Sequence, residues 1–412
     1  MFPAALLAVV LAATACGNAT LTTTKSPPQT VQSAPPPIKV SFHGEHVLAA
    51  ADAAFARTLW TKLEAGGGNV VVSPTSIATA LEMVYVGARG QTAAEMARVL
   101  HLPPGTPTDD VLTSAGGLFT QLETGGGKDS FAALADEVWV QRDFPVVPAF
   151  QVAMESAFGS VFNLADFAAH GEDARKAINA AIAGQTRDRI QDLLPAGTDL
   201  SAARLVLTNA IYLKAAWETP FDAKLTKAAP FTRDDGTVVR PQTMNDSAEF
   251  DYAATPGYQA VRIPYAGGRL AMTLLLPAKG KPLAWPGTAP HFATQMVDLA
   301  LPKFTFTWGD DLASLLAQLG MPDAFTDAAN FGGISTKPLK IGTVRHKAFI
   351  SVDENGTEAA AATAVEIRAG AGYAPGQIAT LHFNRPFLFR IDDTTTGLPL
   401  FLGKVADPTL GA

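Results

Sequence analysis

The sequence predicts a mixed α+β domain with a large β-sheet, which begins near residue 40 and continues to the C-terminus. Residues 74–88 repeat apolar side chains at helical spacing. Residues 204–213, RLVLTNAIYL, are nearly continuous in apolar character, which is typical of a buried strand. From 344 to 352 apolar and polar residues alternate, which is typical of a strand with one buried face. Helical and strand patterns thus occur in one chain without a strict order.

Further elements follow the same patterns. The motif TAAE at residues 92–95 predicts a capping box that opens a second helix. Residues 269–277 and 385–405 predict additional strands, and the last two are joined by a turn at Thr396 and Gly397. We find no internal repeat and no second linker after residue 39.

Composition and motifs exclude several classes of function. The chain has 412 residues and a formal net charge of −7, and no basic run occurs in it, so we expect no nucleic-acid partner. Glycine-rich nucleotide loops and hydrolase motifs are missing. The seven histidines are scattered and form no His-Glu-x-x-His motif, so we expect no metal site. We therefore expect no cofactor, no metal and no enzymatic activity.

The N-terminus predicts export. Residues 1–16 contain a short apolar run and end in ATAC, which is similar to a lipobox in which Cys16 becomes lipidated. Ala13 stands where leucine is usual, and no Lys or Arg precedes the run, so a plain secretory signal with an incidental cysteine is the alternative. Both interpretations predict an exported protein, extracellular or a cell-envelope lipoprotein whose contact with a membrane is the lipid on Cys16.

Residues 17–39 are rich in Thr, Ser and Pro and predict an unfolded tether, so the folded domain is expected over residues 40–412. Cys16 is the one cysteine of the chain, and the folded domain is therefore expected to contain no disulfide.

The segment NGTEAAAATAVEI, residues 355–367, suits both a helix and a strand. With a period of two, one face is small and then apolar, and the opposite face carries Glu358, Glu366 and Arg368. The members of the first face are Thr357, Ala359, Ala361, Thr363, Val365 and Ile367. Two interpretations remain open from the residues: an edge hairpin followed by a flexible loop, or a strand that is present in one state and absent in another.

Several segments together resemble a known family. They are NVVVSPTSIATALEMVYVGARGQTAAEM (69–96), LVLTNAIYLKAAWETPF (205–221), LPKFTFTWGDDLASLLAQLGMPDAF (301–325), HKAFISVDENGTEAAAATAVEI (346–367) and FNRPFLFRI (383–391). In this order they resemble the serpins, the serine protease inhibitor family, from about residue 45 to residue 408. The resemblance implies the serpin fold, with a large central mixed sheet, further sheets and an exposed reactive-centre loop at about residues 354–382.

The resemblance also implies a mechanism. A target protease cuts the loop and forms an acyl-enzyme, and the loop then inserts into the central sheet before the ester is hydrolysed. The chain would thus be an irreversible suicide-substrate inhibitor of serine endopeptidases, with cysteine proteases as a second target class, and we expect a monomer. The positions that match the hinge of inhibitory serpins are Glu354, Gly356, Thr357, Ala359, Ala360, Ala361 and Ala362.

Other positions match the family's internal machinery. The polar cluster through which the sheet opens corresponds to Ser73, Ser76, Asn209 and His346. Trp217 matches the tryptophan near the point at which the loop first enters the sheet.

The resemblance also implies a position for the reactive bond, because inhibitory serpins are cut about sixteen positions after the hinge glutamate. Counted from Glu354 this is Gly370, which implies cleavage between Gly370 and Ala371 and hence an elastase-like or subtilisin-like target. Arg368, which would suit a trypsin-like protease, and Tyr373, nearer by the count back from Pro386, are the alternatives.

Two other classes of function stay open. A non-inhibitory serpin that acts as a binding or chaperone-like protein would be cut without trapping its protease. A solute-binding lipoprotein follows from Cys16 and the tether alone, but it leaves the pattern of residues 354–367 unexplained.

Overall fold

The computed structural model describes residues 42–64, 66–124, 130–159, 162–358 and 378–411. Within these ranges it contains seven α-helices and seventeen strands. The helices are α1 (Phe42–Leu63), α2 (Pro74–Tyr85), α3 (Gly90–Val99), α4 (Thr108–Thr124), α5 (Pro148–Phe158), α6 (Phe167–Gln185) and α7 (Ala313–Leu319).

The strands belong to two large sheets and one short hairpin. They are β1 (Val70–Val72), β2 (Ser130–Gln141), β3 (Phe162–Ala165), β4 (Leu205–Ala216), β5 (Lys227–Ala228), β6 (Phe231–Thr232), β7 (Val238–Val239), β8 (Gln242–Ala254), β9 (Tyr258–Pro264), β10 (Leu270–Pro277), β11 (Ala293–Pro302), β12 (Phe304–Asp311), β13 (Thr343–Asp353), β14 (Gly356–Thr357), β15 (Ala379–His382), β16 (Phe387–Asp393) and β17 (Pro399–Val405).

The central sheet has the strand order β12-β13-β14-β4-β2-β3. It is mixed, because β13 runs parallel to β4 and β2 parallel to β3, whereas the other pairs are antiparallel. Helix α2 packs against one face, and α6 with the segment that follows it covers the other. Both faces of β4 are therefore buried, which explains why residues 204–213 lack an alternating pattern.

The second large sheet has the order β1-β17-β16-β10-β9-β8-β11-β15, with β5 beside β8. The predicted strands at 269–277 and 385–405 lie next to one another in it as β10, β16 and β17. The predicted turn between the last two strands is present, and Gly397 takes the positive φ of +77° that the turn requires. The predicted α+β class with a large mixed sheet is confirmed.

One local prediction was wrong. Helix α3 begins at Gly90 and not after Thr92, so TAAE is no capping box. The Thr92 hydroxyl instead accepts a hydrogen bond from the backbone N–H of Asn330 at 3.0 Å, and a Glu95 carboxylate oxygen accepts one from the N–H of Asp323 at 3.0 Å. Both side chains bond distant parts of the chain, which sequence spacing does not reveal.

The predicted signal peptide, Cys16 and the tether lie outside the described residues and stay predictions. In the described ranges, no helix combines the length and the apolar character needed to cross a membrane.

Candidate functional site

A slot opens between β13 and β4 in the middle of the central sheet. The two strands pair in parallel from Thr343 opposite Val206 up to Ala348 opposite Ile211. Beyond that point they separate, and β14 lies between them. It pairs antiparallel with both, since Thr357 stands opposite Val352 on one side and Ala215 on the other. Gly356 and Thr357 of the predicted hinge therefore already occupy the slot beyond Ala348 and Ile211. We call this end of the slot the upper end.

Glycine is the one residue type that fits at position 356. Its φ is +145°, and a Cβ atom there would lie 2.1 Å from the carbonyl oxygen of Ala215 and 2.8 Å from the Cα of Ala216. Any side chain would therefore collide with the backbone of β4. Glycine at this position lets the chain pass from the β13 turn into the slot.

We expect Gly356→Ala to weaken the seating of the hinge, because the new methyl group cannot be accommodated without moving β14 or β4. The expected cost is about 1–3 kcal/mol, the usual range for a strained backbone position. Hydrogen exchange at the amides of Thr357 and Glu358 should accelerate. Gly184→Ala in α6, where nothing lies within 4 Å of the added Cβ, is the matched control and should leave this exchange unchanged.

Thr357 is hydrogen-bonded to Tyr265, which in turn stacks on Trp217. Its side chain is buried, and its hydroxyl shares a hydrogen bond of 2.6 Å with the Tyr265 hydroxyl. The Tyr265 ring stacks on Trp217 with centroids 4.5 Å apart, and burial raises the pKa of its phenol. The Trp217 indole N–H donates to the carbonyl oxygen of Asp353 at 3.0 Å, which ties it to the turn before β14. Trp217 thus lies at the upper end of the slot, beside the hinge.

Glu354 anchors the turn from the other side. Its carboxylate accepts hydrogen bonds from the Lys303 ammonium at 2.7 Å and from the Thr226 hydroxyl at 2.8 Å. Burial by itself would raise the pKa of Glu354, but these two donors outweigh it and keep the pKa below its ordinary value. The turn residues between β13 and β14 are therefore fixed by charge-assisted contacts.

The four residues predicted to form the sheet-opening cluster are in contact with one another. The backbone N–H of Ser73 donates to Nε2 of His346 at 3.2 Å, and Nδ1 of His346 lies 2.6 Å from Oδ1 of Asn209. Because Nε2 accepts, the ring proton must be on Nδ1, which donates to Asn209. The N–H of Ser76 donates to Oγ of Ser73 at 3.1 Å. All four residues are at most 1% exposed.

This cluster joins the two strands of the slot. Asn209 on β4 and His346 on β13 stand directly opposite each other in the sheet register. Burial lowers the pKa of His346 to about 3, so the ring is neutral near pH 7. A strand that entered the slot down to this level would have to break the bond between Asn209 and His346, which gives the cluster the geometry of a latch.

The sequence did not predict three buried carboxyl groups, one of which contacts Ser76 of this cluster. The Ser76 hydroxyl donates to Asp136 on β2 at 2.5 Å. Asp136 is fully buried, as are Asp52 on α1 and Glu82 on α2, and Asp52 and Glu82 interact through their side chains. Glu82 was visible in the sequence as a lone charge within the apolar helix 74–88, but its partners come from other elements. Tyr265, Thr226 and Lys303 carried no sequence signal at all.

Other predicted site residues lie outside the described residues. These are Ala359, Ala360, Ala361, Ala362, Arg368, Gly370, Ala371 and Tyr373, together with Cys16. The roles assigned to them from the sequence stay predictions. Within the described part of the chain, no three His, Cys, Asp or Glu side chains are grouped so that they could hold a metal ion.

A comparison with protein families identifies this architecture. The family model described as Serpin (serine protease inhibitor) matches residues 50–408. The chain therefore belongs to the serpin family.

Individual relatives agree with this assignment. An uncharacterized serpin-like protein of Thermococcus kodakarensis is 36% identical over 367 residues, which cover 87% of this chain and 85% of that protein. The leukocyte elastase inhibitor of Sus scrofa is 32% identical over 385 residues, covering 88% and 99% of the two chains. Human thyroxine-binding globulin in complex with thyroxine shares the fold with a TM-score of 0.80 at 24% identity, covering 89% of this chain and all of that one.

Proposed function

We propose that this protein is an irreversible suicide-substrate inhibitor of serine endopeptidases, with cysteine proteases as a second target class. The observation that carries the proposal is the position of Gly356 and Thr357, which pair with both β13 and β4 at the mouth of the slot. The alternating pattern of residues 357–367 would continue this short strand downward once the loop is cut. In this role the chain acts as a substrate that traps a protease, and it is not itself a catalyst.

The geometry supports a driving force for insertion. Below β14 the sheet has one parallel ladder, in which residues 343–348 pair with residues 206–211. An antiparallel strand placed between β13 and β4 would replace that single ladder by two. Successive inserted residues would then hydrogen-bond alternately to β13 and to β4, and parallel pairing is the slightly weaker kind. The bond between Asn209 and His346 would have to break on the way.

The chemical step belongs to the protease. Its nucleophilic oxygen attacks the carbonyl carbon of Gly370, the amine of Ala371 leaves with a proton, and an ester joins the enzyme to Gly370. Insertion of residues 358–370 would then carry the acylated protease away before water can hydrolyse the ester. The small residue before the cut favours an elastase-like or subtilisin-like target, and the similarity to a leukocyte elastase inhibitor supports the same choice.

We also propose export of the protein and attachment to a membrane through a lipid on Cys16. This part of the proposal rests on the N-terminal sequence, in which an apolar run ends in ATAC and a Pro-rich tether follows.

A single experiment tests the function. The protein is mixed separately with subtilisin, elastase, chymotrypsin and trypsin, each mixture is run on a denaturing gel, and the released C-terminal fragment is weighed by mass spectrometry. We expect a denaturant-stable band at the summed mass with elastase or subtilisin. The fragment should begin at Ala371, and a start after Arg368 or Tyr373 would select one of the alternative bonds.

Clean cleavage by all four proteases without such a band would contradict inhibition of these enzyme classes. The melting temperature of the cut protein then distinguishes two cases. A large increase means that the loop still inserts, but too slowly to trap an enzyme. An unchanged melting temperature favours a binding or chaperone-like serpin.

A further inference from the structure

Glu358 directly follows the two paired residues of β14. Its backbone N–H still donates to the carbonyl oxygen of Ser351 on β13 at 3.0 Å. Its φ is +50°, in the left-handed region that is costly for a residue with a side chain. A strand that continued downward would require an extended conformation here. The observed conformation of Glu358 is therefore incompatible with a strand that continues through this residue.

The carboxylate of Glu358 is nearly buried. Its side chain is 12% exposed and forms an ion pair with Nε of Arg189. The other carboxylate oxygen, Oε2, has no hydrogen-bond partner among the described residues. Burial raises the pKa of Glu358, against the opposing effect of Arg189. Arg189 is thus the main partner of the Glu358 carboxylate, which has little contact with solvent.

Arg189 belongs to the linker, residues 186–204, which joins α6 to β4 across the face of the central sheet. Its guanidinium carbon lies 5.6 Å from the ring centroid of Phe349 on β13, within the range of a cation–π contact. A second contact ties the linker to the same strand, since Lys347 forms an ion pair with Asp192. The linker therefore connects the edge of the slot to the hinge at Glu358.

We propose that the ion pair between Arg189 and Glu358 is a clamp that holds residues 356–358 in their observed conformation and so limits the rate at which the reactive loop enters the sheet. A left-handed conformation at a glutamate persists only where its surroundings enforce it. Without the ion pair, the hinge can exchange between the left-handed conformation of Glu358 and the extended conformation that its neighbour Thr357 already has. The effect on inhibition rests on the proposed function, whereas the effect on the hinge does not.

Four variants separate a clamp from a general structural role. Arg189→Gln and Glu358→Gln each remove the ion pair, and the double variant Arg189→Glu with Glu358→Arg restores it with the charges reversed. Arg204→Gln is the matched control, because Arg204 lies in the same linker and its guanidinium donates only to the carbonyl oxygens of Ser201 and Ala203 among the described residues. Arg187 is unsuitable as a control, since its charge also acts on Glu358.

Two readouts are measured on the uncut and the protease-treated protein. Hydrogen exchange at the amides of residues 356–358 reports on the hinge without any protease. The number of inhibitor molecules consumed per trapped protease reports on the rate of insertion. We expect both single variants to accelerate the exchange by about three- to tenfold, in keeping with one partly buried ion pair, and to consume fewer inhibitor molecules. The charge-reversed double variant and Arg204→Gln should behave like the wild type.

The outcomes separate the clamp from the proposed function. Wild-type exchange in both single variants, or equal acceleration by Arg204→Gln, overturns the clamp even where a covalent complex forms. Faster exchange in the single variants with no rescue by charge reversal also overturns it, because a purely structural role of either residue predicts that result. Faster exchange with rescue, in a protein that traps no protease, supports the clamp on the hinge and overturns the proposed function alone.

Discussion

Ala361→Glu is expected to convert the proposed inhibitor into a substrate of its target protease. Thr357 points to the buried face of the central sheet, where it contacts Tyr265 and is 2% exposed. Strand alternation places Ala361, four residues later, on the same face once the loop is inserted. A glutamate there would be buried without a partner, at a cost of several kcal/mol. Insertion would slow, and deacylation would release the protease intact.

The measurement is the number of inhibitor molecules consumed per trapped protease, which should rise by about tenfold or more. Ala364→Glu is the matched control, because it makes the same substitution on the opposite face, which also carries Glu358, Glu366 and Arg368. It should inhibit nearly as the wild type does. Inhibition by Ala361→Glu at the wild-type stoichiometry would show that this face does not enter the core.

Thr357→Arg would also block inhibition, but for an additional reason. Thr357 is already buried in the uncut protein, so an arginine there disturbs the hinge before any cleavage. Ala361→Glu is therefore the cleaner test of insertion.

Glu82→Gln is expected to stabilise the protein at pH 8. The carboxyl groups of Asp52, Glu82 and Asp136 are fully buried, and no cation among the described residues contributes to the pKa of any of them. Burial raises the pKa of Asp52 to about 7 and the pKa values of Glu82 and Asp136 well above their ordinary range. At alkaline pH these carboxyl groups are ionised in the unfolded chain, and they must therefore take up protons when the chain folds. Glutamine resembles the protonated glutamate and needs no proton.

The sign of the pH dependence follows from these shifts. A carboxyl whose pKa is higher in the folded chain costs nothing below its unfolded pKa near 4.5, and stability is lost as the pH rises above that value. The loss for Glu82 amounts to about 1.4 kcal/mol for each pH unit between its unfolded and its folded pKa. His346 acts in the opposite direction. Its pKa is lowered to about 3, so its contribution is present above pH 6.5 and lost as the pH falls.

Melting temperatures of the wild type and Glu82→Gln are compared at pH 4.5 and pH 8. The variant should melt several degrees higher at pH 8 and at nearly the same temperature at pH 4.5, and the contribution of His346 cancels because both proteins contain it. Glu155→Gln on the exposed face of α5 serves as the control and should change neither value. An equal shift at both pH values would mean that Glu82 acts through packing and not through its proton.

The sequence by itself determined the family, the fold class and the alternation of β13. Val344, His346, Ala348, Ile350 and Val352 are all buried as their spacing predicts. Such features depend on local periodicity and on motifs in a set order along the chain, and both can be read directly from the sequence. The positions of Ser73, Ser76, Asn209 and His346 also followed from the resemblance, and the structure brings the four together.

Only the tertiary structure decided how the hinge is held. The capping box at Thr92 failed because its side chains bond residues more than two hundred positions away. The same holds for Tyr265 beneath Thr357, for Arg189 beside Glu358 and for the carboxyl groups under Ser76. These contacts join elements whose separation along the chain is set by topology, and no spacing rule predicts which side chains meet. The sequence therefore determined the family and the alternating pattern of the hinge, whereas the packing of distant elements decided how Gly356, Thr357 and Glu358 are held in the central sheet.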